Sequence, residues 1–484
     1  MDITGSQMRI TIEQTSLHRI DLTARMPFRY GIASLTQAPH VLLVADVSID
    51  GRTARGIAAD ILPPKWFTKQ PDTRYEEDDL PAMLAVINAA RQRASELGPT
   101  ESIFELWRGL YKAQQTWAAA TEHPPLLWHF GVSLVERAAI DALCRSQQIS
   151  FHTAVHRNAL GIDPGAVHKA LAGQQPSDFL PATPRAAVAA RHTVGLGDPL
   201  SEQEIAPNDR IDDGLPQSLA AAINAYGLRY FKVKLSGNEE RDLPRLRELT
   251  ALLQREAGDD YQLTLDGNEQ YRDVERFAAL WREMAGDPAL RPMIERTLFV
   301  EQPFHRDIAL HDDTGTALRS WTDRPAMIID ESDATTDSLP LALSLGYSGT
   351  SHKNCKGVIK GILNACLLEH HRRTTPQRAV VLSAEDLANV GPIALLQDLA
   401  VVATLGIEHV ERNGHHYFRG LGMLPEHWQR SLLEHHPELY ETMSDDTPTL
   451  RIVDGQLDLT GINAAPFGVQ PSFDPSELPL ACAP

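Results

Sequence analysis

From residue 187 to residue 410 the chain repeats one pattern: a short apolar run of strand length, then a longer stretch with helical spacing. The runs fall at 187–194, 230–235, 262–265, 297–300, 326–329, 349–352, 379–382 and 406–410. Strands that alternate with helices form βαβ units, and their strands pair in parallel. Eight such units predict a closed (β/α)₈ TIM-type barrel in an α/β chain. Helices are expected between the strands, for example over 241–258, 271–284 and 359–371. A doubly wound open sheet is the other architecture with this alternation, but it lacks support. No glycine-rich phosphate loop follows any strand, and Gly195-Leu196-Gly197 alone does not make one.

The flanks read differently. Residues 10–22 alternate loosely, and Val41-Leu42-Leu43-Val44-Ala45-Asp46-Val47 is a strand that ends in the turn Asp50-Gly51. The spacing turns helical from Asp79 to Cys144. The expected division is a first domain over 1–150, a connector over 151–185, the barrel over 186–424 and a tail over 425–484 that packs back on the first domain. The tail carries a strand-turn element, Leu450-Arg451-Ile452-Val453-Asp454-Gly455.

Charge narrows the partners. The chain has 45 basic and 64 acidic side chains, a net charge of -19. Phosphate binding needs a basic face, so nucleic acid is disfavoured, as is an anionic membrane surface. The four cysteines, Cys144, Cys355, Cys366 and Cys482, form neither a disulfide framework nor a CxxC site. No signal-peptide pattern opens the sequence and no apolar run is long enough to span a bilayer, so a cytoplasmic protein is expected.

In a TIM barrel the chemistry sits at the C-terminal ends of the strands. The second strand ends Phe231-Lys232-Val233-Lys234, the third Leu265-Asp266-Gly267-Asn268, the fourth Val300-Glu301-Gln302-Pro303, the fifth Ile329-Asp330-Glu331-Ser332 and the sixth His352-Lys353-Asn354. One acid after a strand is ordinarily a turn or helix-capping residue, and Lys-Val-Lys alone is ordinarily a solvated edge. Three acids between two lysine ends, on five successive strands, exceed what capping needs. Asp266 and Glu301 are 35 residues apart, and Glu301 and Asp330 are 29, one βα unit each. The three carboxylates therefore belong on neighbouring staves at one level. Such a group repels itself unless a cation sits among it, and oxygen-only ligands favour Mg²⁺. Lys232 and Lys234, two apart, share one strand face.

This set resembles the enolase superfamily, and within it the muconate-lactonizing-enzyme-like branch. The resemblance extends to Met26-Pro27-Phe28-Arg29, to Glu136-Arg137-Ala138-Ala139-Ile140-Asp141, and to Asp454-Gly455 followed by Pro466-Phe467-Gly468-Val469. It implies an α+β capping domain built from the N-terminal part and the C-terminal tail. It implies Asp266, Glu301 and Asp330 as Mg²⁺ ligands supported by Asn268, with Glu331 competing with Asp330. Lys234 and Lys353 would be the acid/base pair, and Lys232 would lower the proton affinity of Lys234. The expected reaction removes the α-proton of a carboxylate through an enediolate. It would end in racemisation or epimerisation, cycloisomerisation or β-elimination, as an isomerase or lyase. Phe28, Tyr30 and Ile32 of the cap loop, and Glu385 and Asp386 after strand seven, are candidate substrate contacts.

Departures from the branch leave alternatives. Lys353-Asn354-Cys355-Lys356-Gly357 lets Lys356 compete with Lys353. Strand seven brings no histidine, so an acid-sugar dehydratase would need His409, His415 or His416. A third reading is a metal-holding relative without turnover. The expected partners are a small-molecule carboxylate and further copies of the same chain.

Overall fold

A computed structural model describes residues 8–481. Residues 1–7, where a leader would begin, and Cys482 lie outside the described residues.

The chain opens with a three-stranded antiparallel sheet: β1 (Ile10–Tyr30), β2 (Ala33–Ile49) and β3 (Arg52–Ile61). Asp50 and Gly51 both take left-handed backbone angles, the turn that a two-residue hairpin between β2 and β3 requires. β1 does not stop near Leu22. It continues past a register shift between Thr23 and Phe28 and turns at Gly31, so the expected cap loop is the tip of a long hairpin. Helices α1 (Leu80–Glu96) and α3 (Pro125–Gln147) pack on the sheet, and α2 (Ile103–Ala120) packs on these two helices. α3 is buried from Leu126 to Cys144. Its backbone approaches the sheet at Gly56, where a Cβ would lie 1.9 Å from the Ala138 carbonyl oxygen.

The barrel follows: β4 (Ala187–Val194), β5 (Tyr230–Lys234), β6 (Gln262–Asp266), β7 (Thr297–Glu301), β8 (Met327–Ile329), β9 (Gly349–His352), β10 (Val381–Ala384) and β11 (His409–Arg412). Each is parallel to the next, and β11 pairs with β4 to close the ring. The fold is a (β/α)₈ barrel with an α+β cap. β10 and β11 begin two and three residues later than the apolar runs suggest. Gly406, left-handed at φ 74°, ends the preceding helix, and the Ile407 amide still bonds back to Val402. Extension of β11 therefore starts later and runs through Glu411.

The tail supplies β12 (Tyr440–Thr442), β13 (Pro448–Leu450) and β14 (Gln456–Asp458); β14 adds antiparallel to β4. Beyond it, the Arg19 amide donates to Pro479 O at 2.9 Å and the Ala481 amide to Leu17 O at 2.9 Å, on the outer edge of β1. Cap and barrel are also stitched by Glu136 of α3. It accepts the Val358 and Ile359 amides at the start of helix Val358–Thr374, which has no side-chain cap of its own. Burial lifts the Glu136 carboxyl to about 8. Cys144, Cys355 and Cys366 are free and buried. Among the described residues no helix is long and apolar enough to cross a membrane.

Close backbone approach gives one stability test. A Cβ at Gly131 of α3 would lie 2.2 Å from Val86 O in α1. Gly131→Ala is expected to lose about 1–3 kcal/mol by overpacking, outweighing roughly 1 kcal/mol of helix propensity gained. Gly286→Ala, where a Cβ meets nothing within 4 Å, should not destabilise. Thermal unfolding of both variants checks the contrast; an unchanged midpoint for Gly131→Ala refutes the contact.

Candidate active site

At the C-terminal end of the barrel the strand register brings the acids and lysines level. Lys234 pairs with Asp266 across β5 and β6, and Asp266 with Glu301 across β6 and β7. Side chains in register on neighbouring staves point the same way. Lys232 Nζ sits among four carboxylates, at 2.9 Å from Asp266, 2.9 Å from Glu301, 2.7 Å from Glu385 and 2.9 Å from Glu411. Burial alone would lower its proton affinity, but the four carboxylates raise it well above the ordinary lysine value. Lys234 Nζ lies 2.6 Å from Asp266. On the opposite side of the ring, Lys353 Nζ lies 2.7 Å from Asp330 and 2.6 Å from Glu385.

The acids differ in what holds them. Asp266 is fully engaged: Oδ1 accepts the Asn268 amide at 2.7 Å and Oδ2 takes both lysines. Burial works against its charge, yet Lys232 and Lys234 bring it to about 2. Glu385 is likewise held well below the carboxylate range by Lys232 and Lys353, against burial. Glu301 goes the other way, raised well above that range by burial and by the charge of Glu385. Burial and Asp330 lift Glu331 to about 8.

A hard cation fits this donor set. Oε1 of Glu301 is buried without a partner, its Oε2 faces Lys232 at 2.9 Å, and Oε1 of Glu385 is buried with Arg191 nearby, at 3.6 Å. Among the described residues, Glu301, Asp330 and Glu385 can each bring an oxygen within 4.8 Å of the others. All donors are oxygens, the set that Mg²⁺ or a similar ion takes.

Above this layer lies a partly open pocket with a cavity volume of about 30 Å³. Lys234, Asn268, Asp330, Lys353, Glu385, Asp386, Glu411 and Asn413 form its floor and one side, and Phe28, Tyr30, Leu35, Pro63, Trp66, Leu387 and Ala388 the rest. Lys232, Asp266 and Glu301 lie beneath the lining. Phe28 stacks on Tyr417 with ring centres 4.2 Å apart, and the Tyr30 hydroxyl donates to Pro64 O at 2.8 Å. Ile32 is 49% exposed at the hairpin tip, outside the pocket. Lys356 is also outside the lining; its Nζ lies 2.9 Å from Asp330 Oδ1 and 3.1 Å from Asp330 O, behind the acid. His409 stacks on Tyr230 at the start of the strands, and His415 and His416 pack around His192, so no histidine lines the pocket.

Several residues escaped the sequence reading. Gln302 Oε1 accepts the Asp330 amide at 2.8 Å and the Ser332 amide at 3.2 Å, which fixes the strand-end loop bearing Asp330. Trp66 lies with its ring centre 5.1 Å from Lys353 Nζ. Its carbonyl and that of Phe67 accept Arg306, which is itself held by Glu269 at 2.7 Å. Glu411 directly follows Val410, so the strand-end rule applied to strand eight finds it; nothing in the sequence marks Trp66.

No family model and no curated protein matches the chain. Solved structures do. A mandelate racemase/muconate lactonizing protein from Herpetosiphon aurantiacus superposes with TM-score 0.59 at 19% identity, over 95% of this chain and 98% of that one. A muconate lactonizing enzyme from Mucobacterium Smegmatis, solved with muconolactone, gives 0.56 at 17% identity, over 94% and 96%. A dipeptide epimerase from Enterococcus faecalis V583, solved with Mg and the dipeptide L-Leu-L-Tyr, gives 0.59 at 13% identity, over 95% and 99%. At such identities the likeness is one of fold: barrel and cap together, over nearly the whole of each chain, are the architecture of these proteins.

Proposed function

We propose that this chain is an enzyme of the enolase superfamily that removes the α-proton of a small carboxylate with the help of a divalent cation. The observation that carries the reading is the pair Lys234 and Lys353. They reach one pocket from the second and sixth of eight staves, with the acid cluster between them. Two amines on opposite sides of a bound α-carbon suit racemisation or epimerisation. One accepts the α-proton and the other delivers a proton to the opposite face. The same pair suits β-elimination or cycloisomerisation. Lys232 shares Asp266 Oδ2 with Lys234, at 2.9 Å and 2.6 Å, and so places a second positive charge beside it. The histidine-free pocket speaks against the acid-sugar dehydratase reading.

Glu301 and Asp330 would hold the cation together with Asp266, the register neighbour of Glu301. A second set, with Glu385 in place of Asp266, is favoured by the proximity of its oxygens to those of Glu301 and Asp330. A bound divalent cation would take the substrate carboxylate and offset the negative charge that builds up as the α-proton leaves. Asn268 and Gln302 hold the strand ends that carry Asp266 and Asp330. Lys356 braces Asp330 from behind. The cap aromatics exclude water from the pocket.

Two experiments test this. Mn²⁺ titration followed by electron paramagnetic resonance should detect one site, weakened more than about tenfold by Asp266→Asn, since even outer partners of a metal site cost 10–100-fold. If Glu385→Gln has that effect and Asp266→Asn does not, the second set is correct. Lys234→Ala and Lys353→Ala should each lower turnover roughly 10²–10⁴-fold or more. One of the two variants is expected to exchange the α-proton of a single stereoisomer with deuterated solvent. Full activity of Lys353→Ala with an inactive Lys356→Ala would transfer the role to Lys356.

A further inference from the structure

We infer that the substrate is a monoanion: one carboxylate, carrying a compact, neutral and largely apolar group. The inference rests on the carboxylate reading above and concerns the rest of the molecule bound.

The pocket has two chemically distinct halves. The only cations in its lining are Lys234 and Lys353, and both are tied to the acid layer at the reacting end. The opposite half is Phe28, Tyr30, Leu35, Pro63, Trp66 and Leu387, all buried. The one hydroxyl there, on Tyr30, is spent on Pro64 O. A second carboxylate on a ligand would meet no positive charge. Three cap cations are committed elsewhere, Arg25 to Asp213 at 2.6 Å, Lys65 to Asp79 at 3.0 Å and Lys69 to Glu269 at 3.3 Å, and Arg29, between Phe28 and Tyr30, is exposed and outside the pocket lining.

A ligand ammonium would fare no better. Of the lining acids, Asp386 is taken by Arg412 at 2.9 Å and by the Ala388 amide at 2.8 Å. Glu411 is taken by Lys232, Thr193 and Asn413. Asp330 and Glu385 Oε2 already hold Lys353, the Glu385 Oε1 left unpartnered belongs to the cation set, and the other unpartnered acceptors of the lining include the uncharged amide oxygens of Asn268 and Asn413. A charge moved from water into such a wall without a partner is strongly disfavoured, whereas an apolar group gains by burial. The space that a water-sized sphere can enter in the pocket is only about 30 Å³, which limits the size of that group.

Binding, and not turnover, tests the inference. The full-length protein with Mg²⁺ would be titrated with mandelate and 3-methylbutanoate as monoanions, with muconate and glutarate as dicarboxylates, and with the zwitterion L-Leu-L-Tyr. Thermal unfolding and tryptophan fluorescence report occupancy. The monoanions are expected to bind at least about tenfold more tightly than either other class, for the cost of burying an unpaired charge. If a dicarboxylate or the dipeptide binds as tightly as the monoanions or more so, the inference fails while the carboxylate reading stands. If no carboxylate shifts either signal with Mg²⁺ present, the carboxylate reading itself fails and takes the inference with it.

Discussion

The ammonium of Lys232 is the interaction on which the site is built. It lies inside the ring, buried, and gathers carboxylates from β6, β7, β10 and β11. Four acids from four staves could not share that space as anions without it. A single lysine therefore couples strands that are far apart around the barrel, and its position depends on the ring being closed by β11 against β4. It also partitions the acids. Asp266 and Glu385 stay charged beside it and the neighbouring lysines, while Glu301 carries the strain of burial.

The cap completes the pocket by a different means, through fixed polar attachments. Glu269 at the rim holds Arg306, and Arg306 holds the carbonyls of Trp66 and Phe67. The Trp66 ring is thereby set beside Lys353. Glu136 makes a second attachment at the start of the helix after β9. Such bonds need exact partners on two parts of the chain, so they position groups that hydrophobic packing alone would leave loose.

The barrel is legible because most of its strands are short apolar runs, and the acids and lysines of the candidate site stand at the ends of five of them. Asp266, Glu301, Asp330, Lys234 and Lys353 could be read from that rule alone. Glu411 obeys the same rule, directly after the run that ends at Val410. The hairpin tip was misread as a loop because β1 passes through a register shift that breaks its alternation between Thr23 and Phe28. Trp66 and Arg306 were illegible for a deeper reason. Their meaning lies in a contact across 240 residues of sequence, and no local pattern encodes that.

The pairing of residues 478–481 with the outer edge of β1 has a consequence for biosynthesis. The His18 ring bonds to the Leu478 carbonyl across 460 positions. During synthesis the β1–β2 hairpin leaves the ribosome some 460 residues before the segment that covers its edge near Leu17 to Arg19. In that interval this edge offers unpaired backbone donors and acceptors, the surface through which strands of separate chains stick together. Long-range closure of this kind slows folding, since the chain must bring segments 460 positions apart together before the contact repays the ordering cost. Crowded polysomes, where many nascent copies stand side by side, are thus the setting in which this architecture is most exposed to misassembly.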